Sequence, residues 1–271
     1  LSGAIVGSLN NILVSHIEGG ELSGTIDELI RHSISKLSHT HFVSNKTSKN
    51  RLIQMGEEAE KIYVIGSPEV DIILYGDLPN IKAVKERYDI TYNKYNILIY
   101  HPVTSELKKL RKNIRSIMKA LDKTKSDFVV IFPNNDSGSE IIINEFEKYK
   151  NNSHFKFFPS LRFEYYITLM KNANSIIGNS SAGVREAPVF GLPSINIGSR
   201  QKNRTLSDTI INIDHKENLI IESLLNITTN VIPSIKYGKG NSAKLFIETI
   251  LKDSFWRSST QKQFRDIKKG N

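Results

Sequence analysis

Short apolar runs alternate with stretches of helical periodicity along most of the chain, and this alternation restricts the fold more than any other feature. Parallel strands need long connections, which are usually helices, so the pattern predicts an α/β fold built on parallel sheets. The predicted strands extend over Ile12 to Ser15, His41 to Ser44, Ile62 to Ile65, Ile97 to Tyr100, Phe128 to Phe132, Phe155 to Phe158, Ser175 to Ile177 and Ser194 to Ile197.

The sequence also indicates where the chain divides. Gly76, Asp77 and Pro79 interrupt the pattern, which is typical of a connection between domains. With 271 residues, of which 39% are hydrophobic, the chain can form one large domain or two smaller ones, and the interruption favours two. We therefore predict a first domain over residues 1–77 and a second domain over residues 78–271.

The densest group of chemically useful side chains follows the first predicted strand, in the segment HIEGGELSGTIDELIRHSISKLSHTH. Glu18 stands at the strand end, which is where ligands bind in open α/β sheets. Packing explains such a carboxylate poorly, because the two glycines after it chiefly let backbone or ligand come close. Glu18 is therefore a candidate for chemistry.

A second group of charges lies on the helix that follows. Thr25 to Glu28 has the pattern of a capping box, which opens a helix. Asp27 and Arg31 are four residues apart and share one face of that helix, with Glu28 one position around it. These residues are candidates for the same site as Glu18. The alternative for Asp27 and Arg31 is an ordinary solvated ion pair.

In the second domain, the run GNSSAG joins a predicted strand to a helix predicted over residues 182–187. The free N–H groups at the start of that helix and the hydroxyls of Ser180 and Ser181 are expected to bind a phosphate. The alternative, that Ser180 only caps the helix, explains one serine but not the whole run. Pro188 is expected to kink or shorten the helix, since it lacks a backbone donor.

Histidines give two further hypotheses. His101 follows the predicted strand that ends at Tyr100, where an imidazole can approach a diphosphate; the alternative is a structural histidine with satisfied hydrogen bonds. The histidines of the first domain are spread along a strand and a helix, so they do not form one compact ligand set and we predict no metal site. They are His16, His32, His39 and His41.

Composition restricts the class of protein. No apolar run approaches the roughly 20 residues of a membrane span and no signal sequence is recognisable, so we predict a cytoplasmic protein without a membrane partner. Zero cysteines exclude disulfides and thiolate metal sites. The net charge of +9 suits an anionic partner, either nucleic acid or a nucleotide sugar. Lysine-rich stretches such as Lys108-Lys109 lack interleaved aromatic residues, which weighs against nucleic acid.

Several short sequence motifs, in order along most of the chain, resemble those of the UDP-N-acetylglucosamine 2-epimerases, specifically the hydrolysing branch that makes N-acetylmannosamine for sialic-acid-type sugars. These motifs are HIEGGE, SGTIDE, IRHSISKLSH, HPVT, FPNNDSG, IGNSSAGVREAP and GSRQ. The resemblance implies two Rossmann-like domains with the active site in the cleft between them, the GT-B fold, and a last helix near Ala243 to Leu251 that returns to the first domain. It also implies an N-terminally truncated chain with an incomplete first domain, because Leu1 matches a late position of that domain.

The resemblance assigns a role to each candidate residue. Catalysis falls to Glu18, Asp27 and His101, while Glu28 and Arg31 hold geometry and tune pKa values. The two serines contact the diphosphate, Glu186 takes the ribose hydroxyls, and Leu161 offers its backbone to uracil. The full set of nucleotide-binding residues is Asn134, Leu161, Asn179, Ser180, Ser181, Glu186 and Arg200. No cofactor or metal is implied; the partner is a UDP-sugar substrate, and a homo-oligomer, dimer or tetramer, is expected.

The reaction implied by the resemblance is loss of UDP from C1 with removal of the C2 proton, followed by addition of water to the 2-acetamidoglucal with inversion at C2. One alternative is the same reaction on a UDP-linked diacetamido-trideoxy sugar, and others are a GT-B glycosyltransferase and an inactive truncated UDP-binding protein. The carboxylates of HIEGGE suit proton transfer at C2 better than sugar transfer. No GxGxxG motif follows a predicted strand, which weighs against a redox Rossmann enzyme.

Overall fold

The chain forms two compact units. The computed structural model describes residues 1–23, 26–201, 204, 209–228 and 231–266. Unit 1 contains Leu1–Gly76 together with the residues from Ile235 onward, and unit 2 is Asp77–Ser234. The second domain expected over residues 78–271 therefore corresponds to unit 2 only as far as Ser234.

The secondary structure follows the predicted alternation of strands and helices. The strands are β1 (Ser15–Ile17), β2 (Thr40–Val43), β3 (Ile62–Val64), β4 (Asn96–Ile99), β5 (Phe128–Ile131), β6 (Phe155–Phe158), β7 (Ser175–Gly178), β8 (Ser194–Ile197) and β9 (Ile210–Ile213). The α-helices are α1 (Ser2–Leu9), α2 (Ile26–Leu37), α3 (Lys46–Gln54), α4 (Pro68–Tyr75), α5 (Ile81–Arg87), α6 (Leu107–Thr124), α7 (Ser139–Phe146), α8 (Phe163–Lys171), α9 (Ala182–Arg185), α10 (Glu217–Leu225), α11 (Ser242–Ile250) and α12 (Asp253–Trp256). Short 3-10 helices occupy Ala59–Lys61, Thr104–Glu106, Glu147–Tyr149 and Ala187–Phe190.

Unit 1 is built on a three-stranded parallel sheet in the order β1-β2-β3. Phe42 of the buried central strand packs against Phe246 of α11 and Phe255 of α12, with ring centroids 4.7 and 5.8 Å apart. The next residue along the strand, Val43, faces the opposite side and packs with Leu52 of α3. The C-terminal helices therefore complete the core of the first unit.

A long-range cap fixes the first turn of α11. The carboxylate of Asp71 on α4 accepts hydrogen bonds from the N–H groups of Ser242 at 3.0 Å and of Ala243 at 2.9 Å. These groups have no partner within their own helix, and a carboxylate there also complements the helix dipole. The last helix that the sequence predicts near Ala243 to Leu251 is thus held in unit 1.

Unit 2 contains a six-stranded parallel sheet in the order β6-β5-β4-β7-β8-β9. The chain winds from β4 outward to β6 on one side, then returns to β7 and winds outward to β9 on the other. This is the doubly wound Rossmann order, in which ligands bind outside the carboxyl ends of the two strands where the winding reverses. In unit 2 those strands are β4 and β7.

Helices cover both faces of this sheet, because successive side chains of its buried strands point to opposite sides. Leu98 of β4 packs in the layer that holds α6, α7 and α10, whereas Ile97 and Ile99 pack in the layer that holds α5 and α8. The longest helix, α6, buries residues at helical spacing, namely Leu110, Ile114, Ile117 and Leu121. Its opposite side faces solvent.

The predicted α/β class with parallel sheets is confirmed, and three local details differ from the sequence predictions. β1 begins at Ser15 instead of Ile12, because its ladder pairs Ser15 with Thr40 and Ile17 with Phe42. The sequence analysis does not predict β9, an edge strand with two exposed residues, although three of its four residues are isoleucine. It does not predict α1 either. None of the helices in the described residues is both long and apolar enough to span a bilayer.

Candidate active site

The reversal point of the unit 2 sheet brings two predicted site residues together. β4 ends at Ile99 and leads through Tyr100 to His101, while β7 ends at Gly178 and leads directly to Asn179. Because β4 and β7 are paired neighbours, these two residues emerge side by side at the carboxyl edge.

Gly178 makes this close approach possible. Its backbone has φ +131°, and a Cβ atom there would lie 1.9 Å from the carbonyl oxygen of Ile99. Any side chain at this position is therefore excluded both by strain and by collision. The hydrogen bond from the Asn179 N–H to the same Ile99 oxygen, at 3.1 Å, closes the end of the ladder.

The side chain of Asn179 holds His101 by its backbone. The Oδ1 atom of Asn179 accepts from the His101 N–H at 2.7 Å, and its Nδ2 atom donates to the His101 carbonyl at 2.8 Å. Asn179 is only 1% exposed, so both bonds are shielded from water. Its own carbonyl accepts from Arg200 Nη1 at 3.3 Å and from Gln201 Nε2 at 2.8 Å. Asn179 thus joins three segments that are far apart in sequence.

The imidazole of His101 is neutral and has a defined tautomer. Its Nδ1 atom accepts from the backbone N–H of Asn134 at 3.1 Å, so the ring proton lies on Nε2. Burial, reinforced by the positive charge of Arg200, lowers the pKa of His101 to about 4. At neutral pH this side chain therefore offers a hydrogen-bond donor, while the positive charge nearby belongs to Arg200.

The turn after β7 opens a helix that is shorter than expected. α9 ends at Arg185, and the 3-10 helix Ala187–Phe190 follows with Pro188 in its first turn, which confirms that the proline shortens the helix. The expectation of free N–H groups is wrong at two positions. The N–H of Ala182 donates to Ser180 Oγ and the N–H of Gly183 to the Ser180 carbonyl, both at 3.3 Å. The N-cap residue of α9 is Ser181, whose side chain makes no capping bond, so the alternative that Ser180 is the N-cap is wrong, although its hydroxyl accepts from the Ala182 N–H.

The other nucleotide-site candidates lie in the same unit. Glu186 is half-buried at the end of α9, and its negative charge adds to the burial that raises the pKa of Tyr166 well above its usual value. Leu161 packs at the edge of the core under α5 and α8. Asn134 is exposed, and its side-chain amide donates to Asp136 at 2.5 Å. The main contribution of Asn134 at this site is therefore its backbone N–H, which orients His101.

In unit 1, Glu18 occupies a backbone conformation that is unusual for its residue type. Its φ is +64°, in the left-handed region that glycine tolerates far better. Such a conformation costs on the order of 1–3 kcal/mol, and residues that retain it cluster at functional sites. Its N–H donates to the Phe42 carbonyl at 2.8 Å and its carboxylate accepts from Ser67 Oγ at 2.7 Å, so both backbone and side chain are held. Ser67 also contacts the carboxylate of Glu69.

The helix α2 candidates have different surroundings. Asp27 is exposed, whereas Glu28 is half-buried and accepts from the Ser23 N–H at 2.9 Å. The guanidinium of Arg31 donates to the Glu21 carbonyl at 3.4 Å. Thr25, which the sequence predicts as part of the capping box, lies outside the described residues.

His16 is a site candidate that the sequence did not single out for catalysis. Ser35 Oγ donates to the Arg31 carbonyl at 3.1 Å, so the contact of His16 Nδ1 with Ser35 Oγ, at 3.0 Å, places the ring proton on Nδ1. Burial, with His41 and Arg31 as further causes, lowers the pKa of His16 to about 4, and only Glu18 opposes the shift. A neutral imidazole with a basic Nε2 atom therefore lies within the electrostatic reach of both Glu18 and Arg31.

Gly19 gives His16 the room for this position, because a Cβ atom on Gly19 would lie 2.9 Å from His16 Nδ1. A sequence signal for His16 exists, since it lies two residues before Glu18, which directly follows the strand. That signal is weak, because one histidine in a strand is more often structural than catalytic.

Two buried carboxylates near this segment are structural. Glu21 is 6% exposed and accepts from Ser48 Oγ at 2.6 Å and from Asn45 Nδ2 at 3.3 Å, which ties the loop after Gly20 to the start of α3. Glu57 is 3% exposed and binds His41 Nε2 at 3.0 Å, Lys36 Nζ at 2.8 Å and Lys262 Nζ at 2.5 Å. Their partners explain both groups without any ligand.

The histidines of unit 1 are each held by a different partner. His39 accepts from the Val14 N–H through Nδ1 and contacts the Thr260 carbonyl through Nε2, both at 3.0 Å. His32 lies 3.8 Å from the carboxylate of Glu28. Among the described residues, no group of three or more His, Asp or Glu side chains is placed to hold a metal ion.

Comparisons with known proteins identify relatives over most of this chain. The sequence profile described as UDP-N-acetylglucosamine 2-epimerase matches residues 1–251. A UDP-N-acetylglucosamine 2-epimerase of Neisseria meningitidis serogroup B is 43% identical over 272 residues, covering 98% of this chain and 72% of the relative. A hydrolysing UDP-N,N'-diacetylbacillosamine 2-epimerase of Legionella pneumophila is 37% identical over 238 residues, covering 88% and 63%.

The fold has solved counterparts. The crystal structure of Methanocaldococcus jannaschii UDP-GlcNAc 2-epimerase, in complex with UDP-GlcNAc and UDP, matches with a TM-score of 0.78 at 23% identity, over 92% of this chain and 72% of that chain. Together with the two parallel sheets, this likeness defines a GT-B-like α/β protein. The chain belongs to the UDP-N-acetylglucosamine 2-epimerase family, a family of epimerases, as its profile match and its relatives show.

Proposed function

We propose that the protein is a hydrolysing UDP-N-acetylglucosamine 2-epimerase, which converts UDP-N-acetylglucosamine and water into N-acetylmannosamine and UDP. The observation that carries the proposal is the group of His101, Asn179 and Arg200 at the reversal point of the unit 2 sheet. It offers a donor and a cation where such folds bind nucleotides. The Neisseria relative's name gives this nucleotide sugar, and the Legionella relative's name specifies hydrolysis.

Unit 2 is proposed to bind UDP. Arg200 supplies a full positive charge for the diphosphate, and the hydroxyls of Ser180 and Ser181 supply hydrogen bonds at the start of α9. His101 donates from Nε2 to a phosphate oxygen. The diphosphate charge opposes that of Arg200 and raises the pKa of His101, so the imidazole can become charged as negative charge builds on the leaving UDP.

The remaining contacts of unit 2 are assigned by the family resemblance. Glu186 accepts hydrogen bonds from the ribose hydroxyls, and Leu161 lies near the uracil. Asn179 and Asn134 act through His101, since the first fixes its backbone and the second its ring.

Unit 1 is proposed to handle the proton at C2. In the first step a carboxylate removes the C2 proton, the C1–O bond breaks, its electron pair leaves with UDP, and a C1=C2 double bond forms in the 2-acetamidoglucal. In the second step water adds its oxygen to C1, and a proton returns to C2 from the opposite face. Glu18 and Asp27 are the acid–base pair for these transfers. Glu28 and Arg31 hold their geometry.

Solvent exchange tests the reaction. Full-length protein incubated with UDP-N-acetylglucosamine in deuterated water is expected to release free N-acetylmannosamine that carries deuterium at C2, as read by NMR. Product that keeps hydrogen at C2 contradicts the mechanism, because the proton must then have stayed on the sugar. A product still linked to UDP places the protein among non-hydrolysing epimerases.

Amide variants test the acid–base pair. Glu18→Gln and Asp27→Asn keep size and remove the base, so turnover is expected to fall about 100-fold or more with little change in Tm. Glu60→Gln, on the exposed surface of unit 1, is the matched control and is expected to keep full turnover. Normal turnover in both amide variants refutes the assignment and makes His101 the leading candidate.

A second substrate is favoured by one observation, the 37% identity to the Legionella diacetylbacillosamine epimerase. Assays with both UDP-sugars, compared by kcat/KM, decide between them. If neither turns over, calorimetry with UDP separates an inactive UDP-binding protein from a failed proposal, with single-stranded DNA as the competing ligand. Light scattering measures the homo-oligomer that the family resemblance predicts.

A further inference from the structure

The exposed residues of α6 carry charge of only one sign. Seven residues of this helix are exposed, and all seven are lysine or arginine. Arg115 and Lys123 have carboxylate partners, Glu145 at 3.9 Å and Glu217 at 2.8 Å. The other five have no ion pair with any described carboxylate: Lys108, Lys109, Arg111, Lys112 and Lys119.

This basic surface is held rigidly. The opposite side of α6 is fixed in the core of unit 2 by Leu110, Ile114, Ile117 and Leu121. Like charges on one rigid helix repel each other, so Lys108, Arg111, Lys112 and Lys119, which have no ion pair with a described carboxylate, cost stability unless an anion lies over them. We call Lys108, Arg111, Lys112, Arg115 and Lys119, with the groove they line, the α6 basic face.

The α6 basic face borders two adjoining grooves. One, of about 490 Å³, is lined by these five residues together with Ser116 and Glu217. The other, of about 540 Å³, shares Lys112 and Ser116 with it and contains the acidic side chains of Glu106 and Asp214. The second groove also contains Lys109 and Lys216, so its three lysines outnumber its two carboxylates. The first groove, with five cations and one carboxylate, is the more positive of the two and attracts an anionic partner more strongly.

We propose that the α6 basic face binds an acidic helical segment of another protein. Its cations recur every three or four residues over about 16 Å, and side chains at this spacing on a helix lie about 5–6 Å apart. Carboxylates at the same spacing on a second helix match them one to one. The partner is thus a helix with Glu or Asp along one stripe, and the surface serves docking, independently of the epimerase reaction.

Two other anionic partners fit the surface less well. Single-stranded nucleic acid gains much of its affinity by stacking bases on aromatic side chains, and neither groove contains Phe, Tyr or Trp. An anionic membrane is bound most firmly by a helix that also inserts an apolar face, but the apolar face of α6 is buried in the protein core.

The test measures binding of a labelled alanine-rich helical peptide with Glu along one stripe, at about 0.15 M ionic strength. The control peptide has the same composition with the Glu positions scrambled around the helix. We expect the striped peptide to bind at least about tenfold more tightly, because only its carboxylates meet the cations in register. Equal binding of the two peptides, or no binding of either, overturns the proposal.

Protein variants locate the surface. The triple variant Lys108→Glu, Lys112→Glu and Lys119→Glu is expected to lose at least about tenfold in peptide affinity, by charge reversal. The matched control reverses three exposed lysines elsewhere in unit 2, Lys82, Lys94 and Lys171, and is expected to keep the affinity. Equal loss in the control shows an effect of net charge alone and overturns the proposal.

Two further measurements distinguish the competing outcomes. The affinities of the same proteins for oligothymidylate and for phosphatidylserine vesicles are measured, and tighter binding of either than of the striped peptide overturns the choice of a protein partner. Both triple variants are also titrated with UDP. Failure of UDP binding in every protein counts against the proposed epimerase function and leaves the result for the α6 basic face unaffected.

Discussion

The side-chain amide of Asn179 binds both polar atoms of the His101 backbone, accepting from its N–H at 2.7 Å and donating to its carbonyl at 2.8 Å. The two residues are 78 positions apart, and they meet because β4 and β7 are neighbours where the sheet reverses its winding. The backbone N–H and carbonyl of a residue beyond the end of a strand have no hydrogen-bond partner in the sheet. Asn179 supplies that partner and thereby fixes the imidazole.

Replacing Asn179 by alanine is expected to weaken both stability and UDP binding. The variant leaves the N–H and carbonyl of His101 without their buried partner, which costs about 1–3 kcal/mol. Thermal unfolding and UDP calorimetry measure the two effects. Asn135→Ala, in the exposed turn after β5, is the matched control and is expected to change neither. Unchanged UDP affinity in Asn179→Ala contradicts the proposed role of this contact.

Replacing Gly178 by alanine is expected to disrupt the carboxyl edge of the unit 2 sheet. The added methyl group would lie 1.9 Å from the Ile99 carbonyl oxygen, so β4 and β7 must separate. A loss of about 3 kcal/mol or more is expected, which is the range of overpacking together with strain. The control is Gly3→Ala, where no atom lies within 4 Å of the new methyl group. Urea unfolding of the two variants should differ accordingly, and equal midpoints would rule out the close approach.

Removing the Asp71 carboxylate is expected to weaken the attachment of α11 to the rest of unit 1. Asp71→Ala takes away the acceptor for two N–H groups at the start of that helix, which costs about 0.5–2 kcal/mol. The single tryptophan of the chain, Trp256, lies in the following helix, so its fluorescence reports the effect. Asp77→Ala, an exposed aspartate beyond α4, is expected to leave the unfolding curve unchanged.

The stability of unit 1 is expected to depend on pH through the ionisation of Glu57. Burial alone raises the pKa of this carboxyl, but the hydrogen bonds from His41, Lys262 and Lys36 outweigh it and lower the pKa to about 2, from an ordinary 4.5. A group whose pKa is lower in the folded state stabilises the fold when ionised. This stabilisation is complete above about pH 5 and is lost as the pH falls toward 2.

Glu57→Gln isolates that contribution. The variant is expected to lose about 1.5–3 kcal/mol at neutral pH, because Lys36 and Lys262 lose their hydrogen bonds to a charged carboxylate. Its stability should then vary less between about pH 5 and pH 3 than that of the wild type. The control is Glu58→Gln, which changes the exposed glutamate that follows Glu57 in the sequence. Parallel pH profiles for wild type and Glu57→Gln would show that Glu57 does not cause the acid sensitivity.

Local patterns along the chain predict much of this structure, for a physical reason. A buried strand of a parallel sheet is typically apolar over its whole length, so β5, which reads Phe-Val-Val-Ile, is recognisable from its four residues. Pro188 shortens α9 through its own missing donor, whatever surrounds it. β9 is missed although three of its four residues are isoleucine, because a short apolar run does not by itself distinguish a strand from a helical segment.

The sequence by itself determined the α/β class, most strand positions, and the segments after strand ends where polar residues gather. Only the tertiary structure decided the strand order β6-β5-β4-β7-β8-β9, which brings His101 to Asn179 and places Arg200 beside them. It also decided the neutral state of His16 and the partners of Glu57, which include Lys262 from the far end of the chain. Hydrogen bonds, burial and charge act through space, so residues distant in sequence set these properties, whereas strand and helix periodicity arises from neighbours along the chain.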